Sequence, residues 1–326
     1  MRFLLLIILW VLTPQGLQIG EVFYNNQIIK IMKMNLKNPA FLQSAGSARE
    51  GGSGDFFYVI SNEDGNEISF DDTRLGYFAE NVQYSTDNCN TWEQLTSDLI
   101  ITLNSGDAVY FRNYTGDIFL SREEPIVAIR TSKAYNIGGD IISLFYPKAE
   151  AEIVELAGAF VGDENLVDAS ALRLPTITLY TEGCYYAMFF GCSSLTTAPE
   201  LPATTLSEGC YHMMFALCSS LTTAPELPAT TLAYACYYQT FFGCSSLTTA
   251  PELPATTLSE GCYVQMFAEC INLSSVKCLT TDIPTEKYTG GWLSNVSPTG
   301  TFTKATGVDW PTGDFGIPTG WTVIEQ

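Results

Sequence analysis

The sequence predicts an α/β leucine-rich-repeat solenoid of about four 26-residue repeats, with an N-terminal all-β domain and a small C-terminal β cap. Three observations carry that expectation. The block CSSLTTAPELPATTL recurs letter for letter at 192–206, 218–232 and 244–258. Self-similarity at a period of 20–50 residues marks stacked repeat architectures, and this period lies inside the leucine-rich range. In each copy the recurring residues fall at i, i+1, i+4, i+5 and i+8, one stripe of a two-turn helix. Between residues 56 and 146, short apolar runs alternate with turn clusters, the texture of a small sandwich or meander.

In chain order, residues 1–18 read as a signal-peptide-like segment. Arg2 precedes an apolar run from Phe3 to Leu12, too short for a bilayer-spanning helix, which needs about 20 residues, and of the length of a signal-peptide core. No small-x-small cleavage site follows, and a start at Met32 or Met34 is the competing expectation. No cysteine precedes Cys89, so no lipoprotein anchor is expected at this end. Residues 19–52 read as a linker that runs into the Gly/Ser stretch SAGSAREGGSGD. Residues 53–150 read as a β-rich domain with strands at FFYVI, EISF, NVQYS, LIITL, AVYF, PIVAI and IISLFY. Inside it Ser85, Asp87, Thr91 and Trp92 fall at the spacing of an Asp-box, a hairpin turn braced by Asp and Ser hydrogen bonds over a packed Trp. Cys89 stands where that pattern wants Gly, the residue that tolerates φ > 0. A propeller needs repeated blades, so the single box reads as a turn; a hydrolase in this domain has no other support.

Residues 151–283 carry the repeats. The expected core is Cys184, Phe189, Cys192 and Leu195, then Cys210, Phe215, Cys218 and Leu221, then Cys236, Phe241, Cys244 and Leu247, then Cys262, Phe267, Cys270 and Leu273. Ser207 and Ser259, each followed by Glu, suit a helix start: a hydroxyl cap, then a carboxylate at the positive end of the dipole. Tyr186, His212, Tyr238 and Val264 lie off the stripe and are expected to face solvent or a neighbouring copy. A short strand is expected at Leu195–Ala198, ended by Pro199, because proline cannot donate to a ladder. Phe160-Val161-Gly162 mirrors Phe189-Phe190-Gly191, with Asp163 in place of the cysteine, as a polar first unit would. Residues 284–326, with Trp292, Trp310 and Trp321 between Gly/Pro turns, read as the β cap.

The net charge of −20 and pI near 4.2 argue against nucleic acid, whose phosphates need a basic footprint. His212 is the single histidine and stands where other copies have Tyr or Val, so no Ser-His-Asp or Cys-His arrangement is supported. No P-loop, GxGxxG or HExxH occurs; no enzyme activity, cofactor or metal is expected. Ten cysteines invite a disulfide reading. On a helical stripe, however, cysteines eight apart lie about 12 Å apart, and equivalents on neighbouring helices about 8–10 Å, beyond the Cα separation of about 7 Å that a disulfide bridges. Buried thiols are favoured over disulfides, and both over zinc, whose ligand pairs want closer spacing. The candidate ligand-binding residues are two ladders: Thr196, Thr197, Thr222, Thr223, Thr248 and Thr249, and an acidic column of Glu200, Glu226 and Glu252. Sheet propensity and solvation are the plainer account of both.

MFFGCSSLTTAPELPATTL, MFALCSSLTTAPELPATTL and TFFGCSSLTTAPELPATTL resemble BspA-type leucine-rich repeats over about 150–283. The flanking VQYSTDNCNTW and WLSNVSPTGTFTK are similar, more loosely, to modules beside such repeats in Bacteroides-type surface proteins and their phages. The resemblance implies a non-enzymatic, secreted or cell-surface adhesion protein that binds a host extracellular protein or glycan through the solenoid and does not span a membrane. The alternative it implies is a structural or receptor-binding component of a phage particle.

Overall fold

The computed structural model describes residues 9–12, 18–24, 27–32, 56–70, 81–96, 98–114, 129–144, 156–175 and 182–326. The chain divides into two compact units, Met1–Ser47 and Ala48–Gln326. In the first, β1 (Leu9–Leu12), β2 (Gln18–Tyr24) and β3 (Gln27–Met32) pair antiparallel in that order. Ile, Val and Phe in these segments suit a pleated surface. Residues 1–8 and 13–17 of the signal-peptide-like segment lie outside the described residues, as does the whole Gly/Ser stretch, residues 44–55.

Among the described residues the second unit begins with nine strands: β4 (Phe57–Ser61), β5 (Asn66–Phe70), β6 (Val82–Ser85), β7 (Glu93–Gln94), β8 (Ile101–Leu103), β9 (Ala108–Asn113), β10 (Ile129–Thr131), β11 (Tyr135–Asp140) and β12 (Leu166–Arg173). One sheet runs β12-β11-β4-β9-β6-β7, the other β10-β5-β8. Period-two alternation turns Phe57 and Val59, Val109 and Phe111, and Ile68 and Phe70 inward. Phe111 meets Phe57 at 6.2 Å and Phe70 edge-on at 6.0 Å, which ties the two sheets together.

One local expectation fails here. IISLFY does not open as a strand: Ile141–Leu144 is a 3₁₀ turn whose three-residue repeat buries Ile141 and Leu144 on one side, with Asp140 accepting the Ile142 N–H at 3.0 Å. The strand lies just before it, in the unpromising YNIGGD. Gly139 has φ +77, and a Cβ there would stand 1.8 Å from the Phe56 carbonyl oxygen, so the close approach of β11 to that chain requires glycine. Of PIVAI, residues 125–128 lie outside the described residues.

The expected repeat helices do not form. Each segment is a run of turns in which every fourth residue is left-handed: Gly183, Ala187 and Gly191, then Gly209, Met213 and Leu217, then Ala235, Gln239 and Gly243, then Gly261, Gln265 and Glu269. Two kinds of hydrogen bond alternate along it. Tyr186, Met188, Phe190 and Cys192 donate N–H three residues back, while Gly183, Tyr185, Ala187, Phe189 and Gly191 donate to carbonyls of the next copy at 2.8–3.0 Å. The pattern repeats in the following copies. A four-residue turn cycle places i, i+1, i+4, i+5 and i+8 on one side, as a helix does, and over nine residues the two periods are hard to tell apart in a sequence. Backbone bonding tells them apart at once, because a helix keeps its N–H groups within itself and this segment sends every second one to a neighbour.

The α/β leucine-rich-repeat solenoid is therefore overturned. Among the described residues the unit is built mainly of β-sheets and turns, no helix forms in the repeat segments, and the short helix α1 (Glu286–Thr289) follows them. Ser207 and Ser259 cap no helix; their carbonyls accept the N–H groups of Cys210 and Cys262. The expected strand at Leu195–Ala198 shrinks to single bridges, Asp168 to Thr197 and Thr197 to Thr223.

Between the turn runs, side chains stack. Phe160, Phe189, Phe215, Phe241 and Phe267 form one offset column at 5.3–5.6 Å between centroids. Tyr185, Tyr211, Tyr237 and Tyr263 form another at 5.5–6.1 Å, closed by Trp292 at 6.4 Å. At the C-terminal end β13 (Ser275–Cys278), β14 (Thr301–Lys304) and β15 (Thr322–Glu325) make a three-stranded parallel sheet. Trp292 and Trp321 are anchored there by indole N–H bonds to the Gly316 and Ser297 carbonyls, both 2.8 Å.

Candidate functional site

The sixteen core positions expected from the repeats, Cys184 through Leu273, are all fully buried. The threonine and glutamate ladders lie on the side where the bridges form. Thr196 and Thr197 are half-covered, and the Thr196 hydroxyl donates to the Val167 carbonyl of β12 at 3.0 Å. Thr222, Thr223, Thr248 and Thr249 are exposed. Neighbouring side chains of a strand point to opposite faces, yet both members of these two pairs meet solvent, because single bridges do not impose the pleat of a continuous strand. Glu200, Glu226 and Glu252 are exposed, and Lys277 of β13 meets Glu252 at 2.9 Å. Among the described residues no group of three or more His, Cys, Asp or Glu is placed to hold a metal ion.

On the turn side a different row appears. Tyr186 is 41% exposed; His212 meets it edge-on at 5.0 Å and meets Tyr238 at 4.6 Å. Burial between these rings pushes the imidazole down to about 4, so His212 is neutral at pH 7. Next to the row the Gln239 amide donates to Gln265 at 2.6 Å. The repeated spacing of Tyr186, His212 and Tyr238 was visible in the sequence; their mutual contact depends on the cross-copy ladder.

The cysteines are closer together than helices would allow. Cys192, Cys218, Cys244 and Cys270 each donate S–H to the carbonyl of Phe160, Phe189, Phe215 or Phe241 at 3.0–3.2 Å. The Cys184 and Cys210 sulfurs lie 3.3 Å apart. The separation of about 8–10 Å assumed helix axes; extended chains in a ladder lie about 4.7–4.9 Å apart.

The Asp-box residues form their turn. The Asp87 carboxylate accepts from the Ser85 hydroxyl at 2.8 Å, the Thr91 N–H at 2.9 Å and the Thr91 hydroxyl at 2.6 Å, bonds that hold it at about 2. Asn88 and Cys89 take φ of 58° and 67°, so cysteine occupies the left-handed position that glycine was expected to require. Burial pushes the Cys89 thiol up to about 11, far from a nucleophile's range. Trp92 packs edge-on against Phe56 at 4.9 Å, beneath the Arg112 guanidinium at 4.2 Å. A hollow of about 280 Å³ at the C-terminal end is lined by Lys304, Trp310, Trp321 and Val323, among others. The Lys304 ammonium is already engaged by the Val308 carbonyl and the Glu325 carboxylate.

The solenoid adhesin, and the phage-particle alternative built from the same modules, require a helix-and-strand repeat, and without it both are withdrawn. No helix among the described residues is long and apolar enough to cross a membrane. No family model, curated protein or solved structure matches the chain, so the likeness to BspA-type repeats rests on the motif residues alone.

Proposed function

We propose that the second unit is a non-enzymatic structural module, a stiff stack of turn-built copies joining a β-sheet block at one end to a parallel three-stranded sheet at the other. The observation that carries this reading is the cross-copy ladder: every second N–H of each turn run donates to its neighbour, alongside unbroken Phe and Tyr columns. The groups most able to do chemistry are taken up by packing. Four thiols are spent on carbonyls, and the histidine is held between tyrosines.

A location outside the cell is part of the proposal and rests on the apolar run Phe3–Leu12 behind Arg2. The partner class that suits the exposed hydroxyls and carboxylates of Thr222, Thr248, Glu200 and Glu226 is an extracellular protein or glycan rather than a polyanion.

Deletion of residues 218–243 tests the structural reading, because it joins Leu217 to Cys244 in phase with the repeat. A module whose role is stiffness and length tolerates this: cooperative unfolding and an unchanged CD spectrum per residue are expected, with the shortening visible by small-angle scattering. A chain that loses its cooperative transition would overturn the proposal.

A further inference from the structure

The two cysteine columns differ in what their sulfurs meet. Those of the second column are committed to carbonyl oxygens of the preceding copy. At the head of the first column, Cys184 and Cys210 are both fully buried and face each other, sulfur to sulfur, at 3.3 Å. The Tyr185 N–H donates to the Cys210 carbonyl at 3.0 Å, which holds the two chains at ladder spacing, about 4.7–4.9 Å. That lies inside the window of about 4.4–6.8 Å between Cα atoms for a disulfide. Closing the sulfurs to about 2.05 Å then needs side-chain rotation rather than backbone movement.

We propose that Cys184 and Cys210 are a disulfide-forming site that locks the first copy covalently to the second, closed by exchange with a small-molecule or carrier-protein disulfide of an oxidising compartment. One protein thiolate attacks a sulfur of the oxidant disulfide, forming a mixed disulfide and releasing one thiol. The second protein thiolate attacks the protein sulfur of that mixed disulfide and releases the second thiol. The protein pair loses two electrons and two protons; the oxidant disulfide gains them as two thiols. Burial pushes the Cys210 thiol up, so few thiolates form in the closed stack, and exchange proceeds while the chain folds or the first copy is open.

The test refolds the reduced full-length chain in a mixture of oxidised and reduced glutathione, quenches with acid, and alkylates with N-ethylmaleimide in denaturant before mass spectrometry. Eight of the ten thiols are expected to be alkylated, with one peptide pair joined through Cys184 and Cys210. The unfolding midpoint is expected to fall when reductant is added. Cys218→Ala keeps the cross-link; Cys210→Ala loses it. Should Cys210→Ala fail to fold, the wild-type peptide map decides alone. Ten alkylated thiols in a chain with native CD, or a bond between any other pair, would overturn the proposal.

Discussion

Tyr237 holds its hydroxyl buried without a hydrogen-bond partner, whereas Tyr185, two copies earlier in the same column, donates to the Pro175 carbonyl at 3.1 Å. Removing a buried, unpaired polar atom relieves a desolvation penalty, while removing a paired one forfeits a bond and strands its acceptor. Tyr237→Phe is therefore expected to raise stability by about 1 kcal/mol and Tyr185→Phe to lower it by a similar amount, read from urea unfolding midpoints; the same sign for both would contradict the argument. His212 supplies a second contrast. Its folded value, about 4, lies below the unfolded value of about 6.5. Between those pH values the unfolded chain binds the extra proton, so this contribution is complete above about pH 6.5 and is lost as pH falls towards about 4. His212→Tyr, the residue of the neighbouring copies, removes the titration. From pH 7 to pH 4.5 the wild type is expected to lose about 2–3 kcal/mol more than the variant. Parallel pH profiles would show that the ring contacts do not enclose the imidazole.

At the scale of the element, the turn run depends on a left-handed residue at every fourth position. Gly243 meets this at φ +71, and a Cβ there would stand 2.8 Å from Cδ2 of Leu217. Leu217 meets it at φ 63° against its own preference, which costs an L-residue about 1–2 kcal/mol. Gly243→Ala is expected to destabilise by about 1–2 kcal/mol, and Leu217→Gly to be neutral or stabilising by up to about 1 kcal/mol despite the lost side-chain contact. A helix would rank them oppositely, since glycine weakens a helix interior, so the pair of denaturation midpoints discriminates between the two local structures. The signal was present in the sequence: Gly183 and Gly191 stand eight apart inside a proposed two-turn helix, where glycine is unfavourable. The apolar periodicity outweighed it, and the residues that share the left-handed position, Ala187, Met213, Gln239 and Gln265, carry no such signal.

Across the whole second unit, one apolar core runs from Phe57 of β4 to Trp321 beside the parallel sheet. Its junctions are specific: Phe160 touches Phe57 at 6.3 Å and stacks on Phe189 at 5.3 Å, and Asp163 accepts the Tyr135 hydroxyl of β11 at 2.6 Å. A core shared by sheet block and stack is expected to open as one cooperative unit. In hydrogen exchange at rising denaturant, peptides covering 56–61 and 236–244 should lose protection together. Loss of either at clearly lower denaturant would mean that the block and the stack fold separately.

The amino-acid sequence alone determined which residues are inside. Cys184, Phe189, Cys192, Leu195 and their copies are buried because apolar side chains leave water whatever backbone carries them, and a 26-residue repeat brings equivalents side by side. The strands of β4, β5, β6, β8 and β9 were legible as short apolar or β-branched runs set between turn clusters. The backbone of the repeat was not. Periods of four and of 3.6 mark the same residues over nine positions, and the choice between them belongs to the amide hydrogens of Tyr185, Tyr211, Tyr237 and Tyr263, which bond to residues about one copy further along. Only the tertiary structure supplies that partner, and with it the spacing that sets Cys184 against Cys210 and His212 between two tyrosines.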